Sequence, residues 1–285
     1  MALKVENLIT EKTIADFILK ENGVLMTRDI VNINDIQLDK CCKNVLVCLT
    51  GYDHILNIFF NQYIYKFTKP IVLILIETDI YTLKTQWIEH PMIVYIFGWN
   101  IPIVHTKIHA LPIGLNYYRQ GIIMNKFLQT YKPGVKMHLL GINFSLSTNP
   151  IRYILIDKSN NEWKTYCKQI PYYTNIDKYM RKSYTDRGGI EITVTSPELY
   201  KEMSNIKFIL SPPGAGIDCH RTWESLYLGC IPIVHTSTIN KLYEDLPILV
   251  VTNWDDITKD FLEKKYEEIN TKKKKGGYNM DITWI

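Results

Sequence analysis

The sequence predicts an α/β protein built as two Rossmann-like units, each a parallel sheet covered by helices. Three observations carry that prediction. Short runs rich in Ile, Val and Leu recur along the chain, they are apolar at nearly every position as strands buried on both faces are, and longer mixed segments separate several of them. At 285 residues the chain has the length of one large domain or two modest ones, with ample material for a core either way.

In chain order the strand candidates are residues 45–49, 71–76, 92–97, 139–144, 153–156, 207–210, 231–234 and 248–251. Strand character fades between Leu115 and Met137, where the turn-forming pair Pro133-Gly134 lies, and this places a boundary near residue 130. Residues 1–130 then form an N-terminal unit and 131–285 a C-terminal one. The hexapeptide IPIVHT occurs at 101–106 and again at 231–236, as two similarly built halves would show, although strand composition alone also produces such a match. Each copy reads as a strand ending in a histidine, His105 and His235. Residues 255–275 read as an amphipathic helix whose apolar positions Ile257, Phe261, Leu262 and Tyr266 pack on a domain surface.

Composition excludes several classes. Hydrophobic residues make up 46% and charged residues 22%, a globular balance rather than that of a disordered, collagen-like or coiled-coil chain. No apolar run approaches the roughly 18 to 20 residues of a membrane helix. The N-terminal MALKVENLITEKTIADF is broken by Glu6, Glu11 and Asp16 and lacks the apolar core and cleavage site of a secretory signal, so a cytoplasmic protein is expected. The cysteines Cys41, Cys42, Cys48, Cys167, Cys219 and Cys230 show no CxxC spacing, which indicates free thiols rather than a zinc cage or a disulfide framework. The net charge of +4 leans on Lys272, Lys273, Lys274 and Lys275, a run that reads as a solvated helix end, and nucleic acid is not an expected partner.

The chemistry concentrates in residues 207–235, KFILSPPGAGIDCHRTWESLYLGCIPIVH, which read as strand, glycine loop, helix and strand. Two prolines stop the first strand, and Gly214 and Gly216 allow backbone to approach a ligand closely. Asp218 stands where a helix N-cap is wanted and Gly229 where the helix stops. Trp223, Leu226, Tyr227 and Cys230 form an apolar stripe at i, i+3, i+4 and i+7, with His220, Arg221 and Glu224 on the other side. His220 and Arg221 lie in the first turn, where unpaired N–H groups and the positive helix end favour an anion such as a diphosphate. Glu224, one turn deeper, is placed to accept hydrogen bonds from a ribose diol. The competing reading is an i, i+3 surface salt bridge between Arg221 and Glu224 beside an ordinary turn.

This stretch closely resembles the C-terminal signature of exostosin-type glycosyltransferases, of the form F-x-L-x-P-x-G-x-G-x-D-x-x-R-x-W-E-x-L-x-x-G-C-I-P-V. The matching positions are Phe208, Leu210, Pro212, Gly214, Gly216, Asp218, Arg221, Trp223, Glu224, Leu226, Gly229, Cys230, Ile231 and Pro232, and Ile233 departs from it. Upstream, residues 142–152 (INFSLSTNPIR) resemble the first strand and loop of that family's donor domain, 109–115 (HALPIGL) the segment closing its first domain, and 48–53 (CLTGYD) an early strand and loop. The resemblance is sharp over 207–234.

It implies a GT-B-like arrangement, two Rossmann-like domains facing across a cleft, with a nucleotide-sugar on the C-terminal domain and a glycan or glycosylated acceptor on the other. Open α/β sheets bind ligands beyond the carboxyl ends of their strands, which agrees. The loop after residue 144 then offers Asn143, Ser145, Thr148, Asn149 and Arg152 to phosphate or sugar oxygens, with Arg152 as a second phosphate ligand or as a helix-start residue. The one-residue carboxylate spacing of a metal-binding pair occurs at Glu77-x-Asp79 alone, so a metal-independent mechanism with Arg221, His220, Arg152 and helix N–H groups stabilising the leaving diphosphate is expected, and no cofactor. The family's inverting chemistry implies a general base from the N-terminal domain. Asp53 ranks first, or is a helix N-cap, followed by Glu77 and Asp79, with His54 as an alternative and His235 as a minor donor contact. Tyr117, Tyr118, Tyr172 and Tyr173 are candidates for stacking on sugar or base. The expected function is thus sugar transfer from a nucleoside diphosphate, UDP by resemblance, to a glycan hydroxyl. A catalytically silent nucleotide-sugar or glycan binding module and an epimerase that needs no acceptor are the other readings.

Overall fold

Both faces of the central strands are buried, which is why their sequences are continuous apolar runs rather than alternating ones. The computed structural model describes residues 24–26, 45–50, 53–79, 81–116, 120–132, 134–170 and 197–278. Strands β1 (Val24–Met26), β2 (Val45–Thr50), β3 (Ile71–Ile76), β4 (Ile93–Gly98) and β5 (Ile108–Ala110) form a five-stranded parallel sheet in chain order. A second parallel sheet contains β6 (His138–Ile142), β7 (Cys167–Gln169), β8 (Ile206–Leu210), β9 (Ile231–His235) and β10 (Leu249–Val251), in the order β10-β9-β8-β6-β7. The described architecture is therefore α/β with two Rossmann-like parallel sheets.

On the first sheet, Ile71, Leu73 and Leu75 turn one face of β3 toward helix α1 (Asp53–Ile58) and its continuation, where Leu56, Phe59 and Phe60 meet Trp87 of α2 (Thr85–Ile88). Ile74 and Ile76 turn the other way, against Trp99. On the second sheet, Phe208 and Leu210 of β8 face α7 (Lys259–Lys274) through Leu262 and Ile269, while Ile209 faces α6 (His220–Tyr227) and α5 (Pro197–Ser204) through Trp223, Tyr200 and Met203. Phe261, Leu262 and Tyr266 pack into this core as the amphipathic pattern predicts, and Ile257 does so from the link before the helix, which starts at Lys259 rather than at 255. Leu115 and α3 (Ile122–Thr130), N-terminal to the boundary expected near residue 130, also pack over the second sheet through Met124 and Leu128.

Three differences from the sequence reading have physical causes. Residues 153–156 lie inside helix α4 (Ile151–Asn160), not in a strand: Arg152, Leu155 and Ser159 recur at helical spacing and are buried, while Tyr153 and Ile154 are exposed, and so short an apolar run cannot by itself distinguish the two periods. Strands β1, β5 and β7 have three residues each and lie at sheet edges, too short to leave an apolar run. The first IPIVHT copy forms no strand, whereas the second is β9, so the repeat does not mark equivalent positions and His105 ends no strand. Among the described residues no helix is long and apolar enough to cross a membrane.

The order of the second sheet matters for ligand binding. In chain order its strands lie 2-1-3-4-5, so successive connections leave β6 and β8 in opposite directions. A crevice opens at the carboxyl ends of such a strand pair, between the loops that diverge from it.

Candidate functional site

The loops at that switch point are residues 143–150, after β6, and 211–219, after β8. The second opens on Ser211 and continues with Pro212 and Pro213, which bring carbonyls but no N–H groups. Those carbonyls are satisfied by Arg152, a buried cation at the start of α4. Its Nη2 donates to Pro212 O at 3.0 Å, its Nε to Pro213 O at 3.0 Å and its Nη1 to Ser145 O at 2.8 Å. Asn149 Nδ2 donates to Gly214 O at 3.0 Å. Arg152 thus clamps the glycine loop to the β6 loop, a structural use of a side chain read from sequence as a phosphate ligand. Ser145 Oγ pairs with Ser147 Oγ at 3.0 Å, and Thr148 is exposed at the rim.

The glycines approach protein closely. A Cβ on Gly214 would stand 3.0 Å from Arg152 Nη2, and one on Gly216 would stand 2.5 Å from Asn100 Nδ2 and 2.9 Å from the Asp79 carbonyl. Gly216 is therefore required where the second unit's loop meets the strand ends of the first, a role the sequence reading had assigned to ligand approach.

Asp218 is not the N-cap of α6. That place belongs to Cys219, whose backbone is extended and whose side chain makes no capping hydrogen bond. The Asp218 carboxylate is 3% exposed and accepts four hydrogen bonds, from Ile113 N (2.9 Å), Trp223 Nε1 (2.8 Å), Cys219 N (2.9 Å) and Tyr243 Oη (3.1 Å). Burial pushes its carboxyl up to about 6 against the pull of these donors. Burial likewise pushes the Cys219 thiol up to about 11. The peptide N–H of Asp218 donates to Asn100 Oδ1 at 2.6 Å.

The first turn of α6 contributes two more ties. His220 Nδ1 lies 2.8 Å from Gly114 O, so that nitrogen carries the proton and donates. Arg221 reaches the β6 loop, where its Nε donates to Asn143 O at 3.1 Å and its Nη2 to Asn143 Oδ1 at 2.7 Å. Asn143 is buried and in turn donates to Ile170 O at 3.1 Å. Arg221 Nη1 pairs with Glu224 Oε2 at 2.7 Å, and Tyr200 Oη donates to Glu224 Oε1 at 3.0 Å. Glu224 is 1% exposed, beneath the helix rather than at its rim, so the ribose contact read from sequence is replaced by a buried ion pair with a tyrosine attached. The i, i+3 pairing was the competing sequence reading, but it predicted a surface bridge.

The structure thus gathers Asn143, Ser145, Thr148, Arg152, Gly214, Gly216, Asp218, His220, Arg221 and Glu224 at the loop ends of β6 and β8, and commits most of their polar groups to holding those loops together. The Cys219 side chain makes no capping hydrogen bond, while its own N–H is taken by Asp218 Oδ1 at 2.9 Å and the Thr222 N–H by Cys219 O at 3.0 Å. On the facing side, Glu77 and Asn100 close β3 and β4 with left-handed backbones, φ 64° and 51°. Thr238 Oγ1 adds a tie to Ile101 O at 3.2 Å. Asp53 opens α1 after β2, but its side chain lies outside the described residues, as do Tyr117, Tyr118, Tyr172 and Tyr173. His54 is exposed. His105 Nε2 pairs with Glu89 Oε1 at 2.9 Å just before the amino end of β5, where its carbonyl accepts Ile108 N at 3.0 Å, and His235 closes β9 with its ring 5.5 Å from that of Trp254.

Sequence reasoning missed Asn100, Tyr200 and Tyr243, whose partners are distant in the chain. The one signal was the polar Asn100 directly after an apolar strand. No protein-family model matches the chain, and no curated protein matches it in sequence.

Proposed function

We propose that this chain is a GT-B-type glycosyltransferase that moves a sugar from a nucleoside diphosphate, UDP by motif resemblance, to a glycan hydroxyl with inversion and without a divalent ion. The observation that supports the reading is that the glycine loop and the helix start of the exostosin-like segment follow β8 at the switch point of a parallel sheet. That is where open α/β sheets take phosphorylated ligands.

In this reading the diphosphate is met by the positive end of α6, which stabilises the charge that develops on the leaving group. Arg152 and Arg221 act behind that contact. Arg152 holds the glycine loop, and Arg221 holds the β6 loop while Glu224 balances its charge. The acceptor approaches from the strand ends of the first sheet, where its base resides, and the seam through Asp218 keeps the two sides in register.

The test is thermal unfolding with UDP, GDP, CDP and UDP-sugars, with and without EDTA. A chelator-resistant shift of several degrees with UDP, at concentrations well above its dissociation constant, is the expected result. No shift with any nucleotide would remove the donor site from the proposal.

A further inference from the structure

The amino ends of the second sheet's strands form a pole on the side away from the loops of β6 and β8. Helices α5 and α6 end there, and Lys136 Nζ binds a carbonyl at each end, Ser204 O and Leu228 O. Helix α7 runs the same way. Its Tyr266 lies beside the start of β8, where Lys207 Nζ stands 4.4 Å from the ring centroid. Residues 272–275 extend about 9 to 14 Å further along the axis at 1.5 Å per residue.

Lysines at a helix end often hydrogen-bond its last carbonyls, but here the backbone already does so. Gly276, with φ 72°, turns the chain back, so that Gly276 N donates to Lys273 O at 3.1 Å and Gly277 N to Lys272 O at 3.0 Å. Lys275 N takes Thr271 O at 3.2 Å. Lys272, Lys273, Lys274 and Lys275 are all exposed, and among the described residues the last three enter no ion pair. Nearby, Glu202 and Glu268 are already paired, with Lys168 and Lys265. Glu267 beside Lys272 and Lys275 is outnumbered by these four lysines and the exposed Lys201 at the end of α5. The segment before β6, fixed at this pole by Met137 N donating to Asn205 O at 2.7 Å, adds apolar side chains turned to solvent: Val135 is 85% exposed and Met137 74%.

We propose that this pole binds an anionic membrane surface peripherally. Lys201 and the lysines of 272–275 meet the lipid phosphates and carboxylates, and Val135 and Met137 enter the boundary between headgroups and acyl chains. Charge complementarity supplies the attraction, and a lipid headgroup region takes cations and exposed apolar side chains together, whereas a nucleic-acid backbone offers the latter nothing. Seated this way, the loop ends of β6 and β8 point away from the lipid. The inference uses none of the residues at those loop ends and is independent of the transferase reading.

The experiment sediments the full chain with phosphatidylcholine vesicles, with and without about one-third phosphatidylserine, at about 0.1 M and 0.5 M salt. Binding to the phosphatidylserine vesicles is expected, weaker by about 10-fold or more on phosphatidylcholine alone and at the higher salt. Changing Lys272→Gln, Lys273→Gln, Lys274→Gln and Lys275→Gln together is expected to weaken it by about 10-fold or more. Val135→Ser with Met137→Ser is expected to weaken it while leaving its salt dependence unchanged, and because both side chains are exposed this second variant tests the surface without touching the helix end. Thermal unfolding checks that each variant is folded. Equal binding to both vesicles, binding to neither, or parent-level binding by either variant overturns the proposal. Release of the protein from phosphatidylserine vesicles by an equal concentration of duplex DNA or RNA overturns it in favour of a nucleic-acid surface.

Discussion

Asn100 Oδ1 accepts the peptide N–H of Asp218 at 2.6 Å, joining residues 118 positions apart at the meeting of the two sheets. The carboxylate of Asp218 takes Ile113 N, His220 holds Gly114 O and Thr238 holds Ile101 O along the same line. The glycine loop is consequently a fitted part of the contact between the units. Its shape depends on residues of the first sheet as much as on its own sequence, and four expectations follow from named contacts.

Gly216→Ala tests that fit. A methyl group there meets Asn100 Nδ2 at 2.5 Å, Asn100 Cγ at 2.8 Å and the Asp79 carbonyl at 2.9 Å, and a backbone carbonyl cannot swing aside. Overpacking of this kind costs about 1 to 3 kcal/mol, or roughly 5 °C in Tm for a chain of this size. Thermal unfolding of the variant checks it, and an unchanged Tm would show that the seam opens readily.

Asp218 makes stability depend on pH in a stated direction. Its folded pKa, about 6, lies above the unfolded value of about 3.9. The folded state therefore binds the proton more tightly, and the group's contribution is largest below about pH 4, falls as pH rises toward 6 and is level above it. Asp218→Asn removes this slope and leaves either Ile113 N and Trp223 Nε1, which share Oδ2, or Cys219 N and Tyr243 Oη, which share Oδ1, facing an NH2 group. The variant is expected to be less stable throughout, with the gap to the parent narrowing by roughly 3 kcal/mol between pH 4 and 7. Denaturant unfolding of both proteins across that range is the measurement, and parallel curves would refute the shifted carboxyl.

Glu224→Gln separates a nucleotide ligand from a structural residue. The amide keeps an acceptor for Tyr200 but leaves the Arg221 cation without its counter-ion. Breaking a buried pair from one side costs about 3 kcal/mol. The expected outcome is a lower Tm with the UDP shift retained in size, and a normal Tm with a lost shift would restore the ribose contact.

Lys136 joins two helix ends. Its Nζ donates to Ser204 O at 2.7 Å and to Leu228 O at 2.9 Å, carbonyls at the C-termini of α5 and α6, where a cation complements the helix dipole. Lys136→Met keeps the stem and removes the donors, with an expected loss of about 1 to 2 kcal/mol in denaturant unfolding. An equally stable variant would mean that water replaces the ammonium.

The central strands and the helix after the glycine loop were readable because their signals are local. The β8 run and the stripe of Trp223, Leu226, Tyr227 and Cys230 are buried as their periods require. Residues 153–156 misled because Ile and Leu side by side serve either period until Arg152 and Ser159 are seen to be buried with Leu155. Asp218 misled because its side-chain type and place before a helix satisfy the capping rule, whereas its actual donors lie on Ile113, Trp223 and Tyr243.

By itself the sequence determined the class of the protein, the positions of its buried strands and the segment in which polar chemistry collects, since apolar periodicity and turn residues act over a few neighbouring positions. Tertiary structure alone decided which partners those polar residues hold. Arg152, Asp218, Arg221 and Glu224 are the same residue types whether they bind a nucleotide or the protein's own backbone. Only the approach of loops far apart in the chain determines which carbonyl, amide or hydroxyl comes within hydrogen-bonding distance, and so which groups remain to meet a ligand.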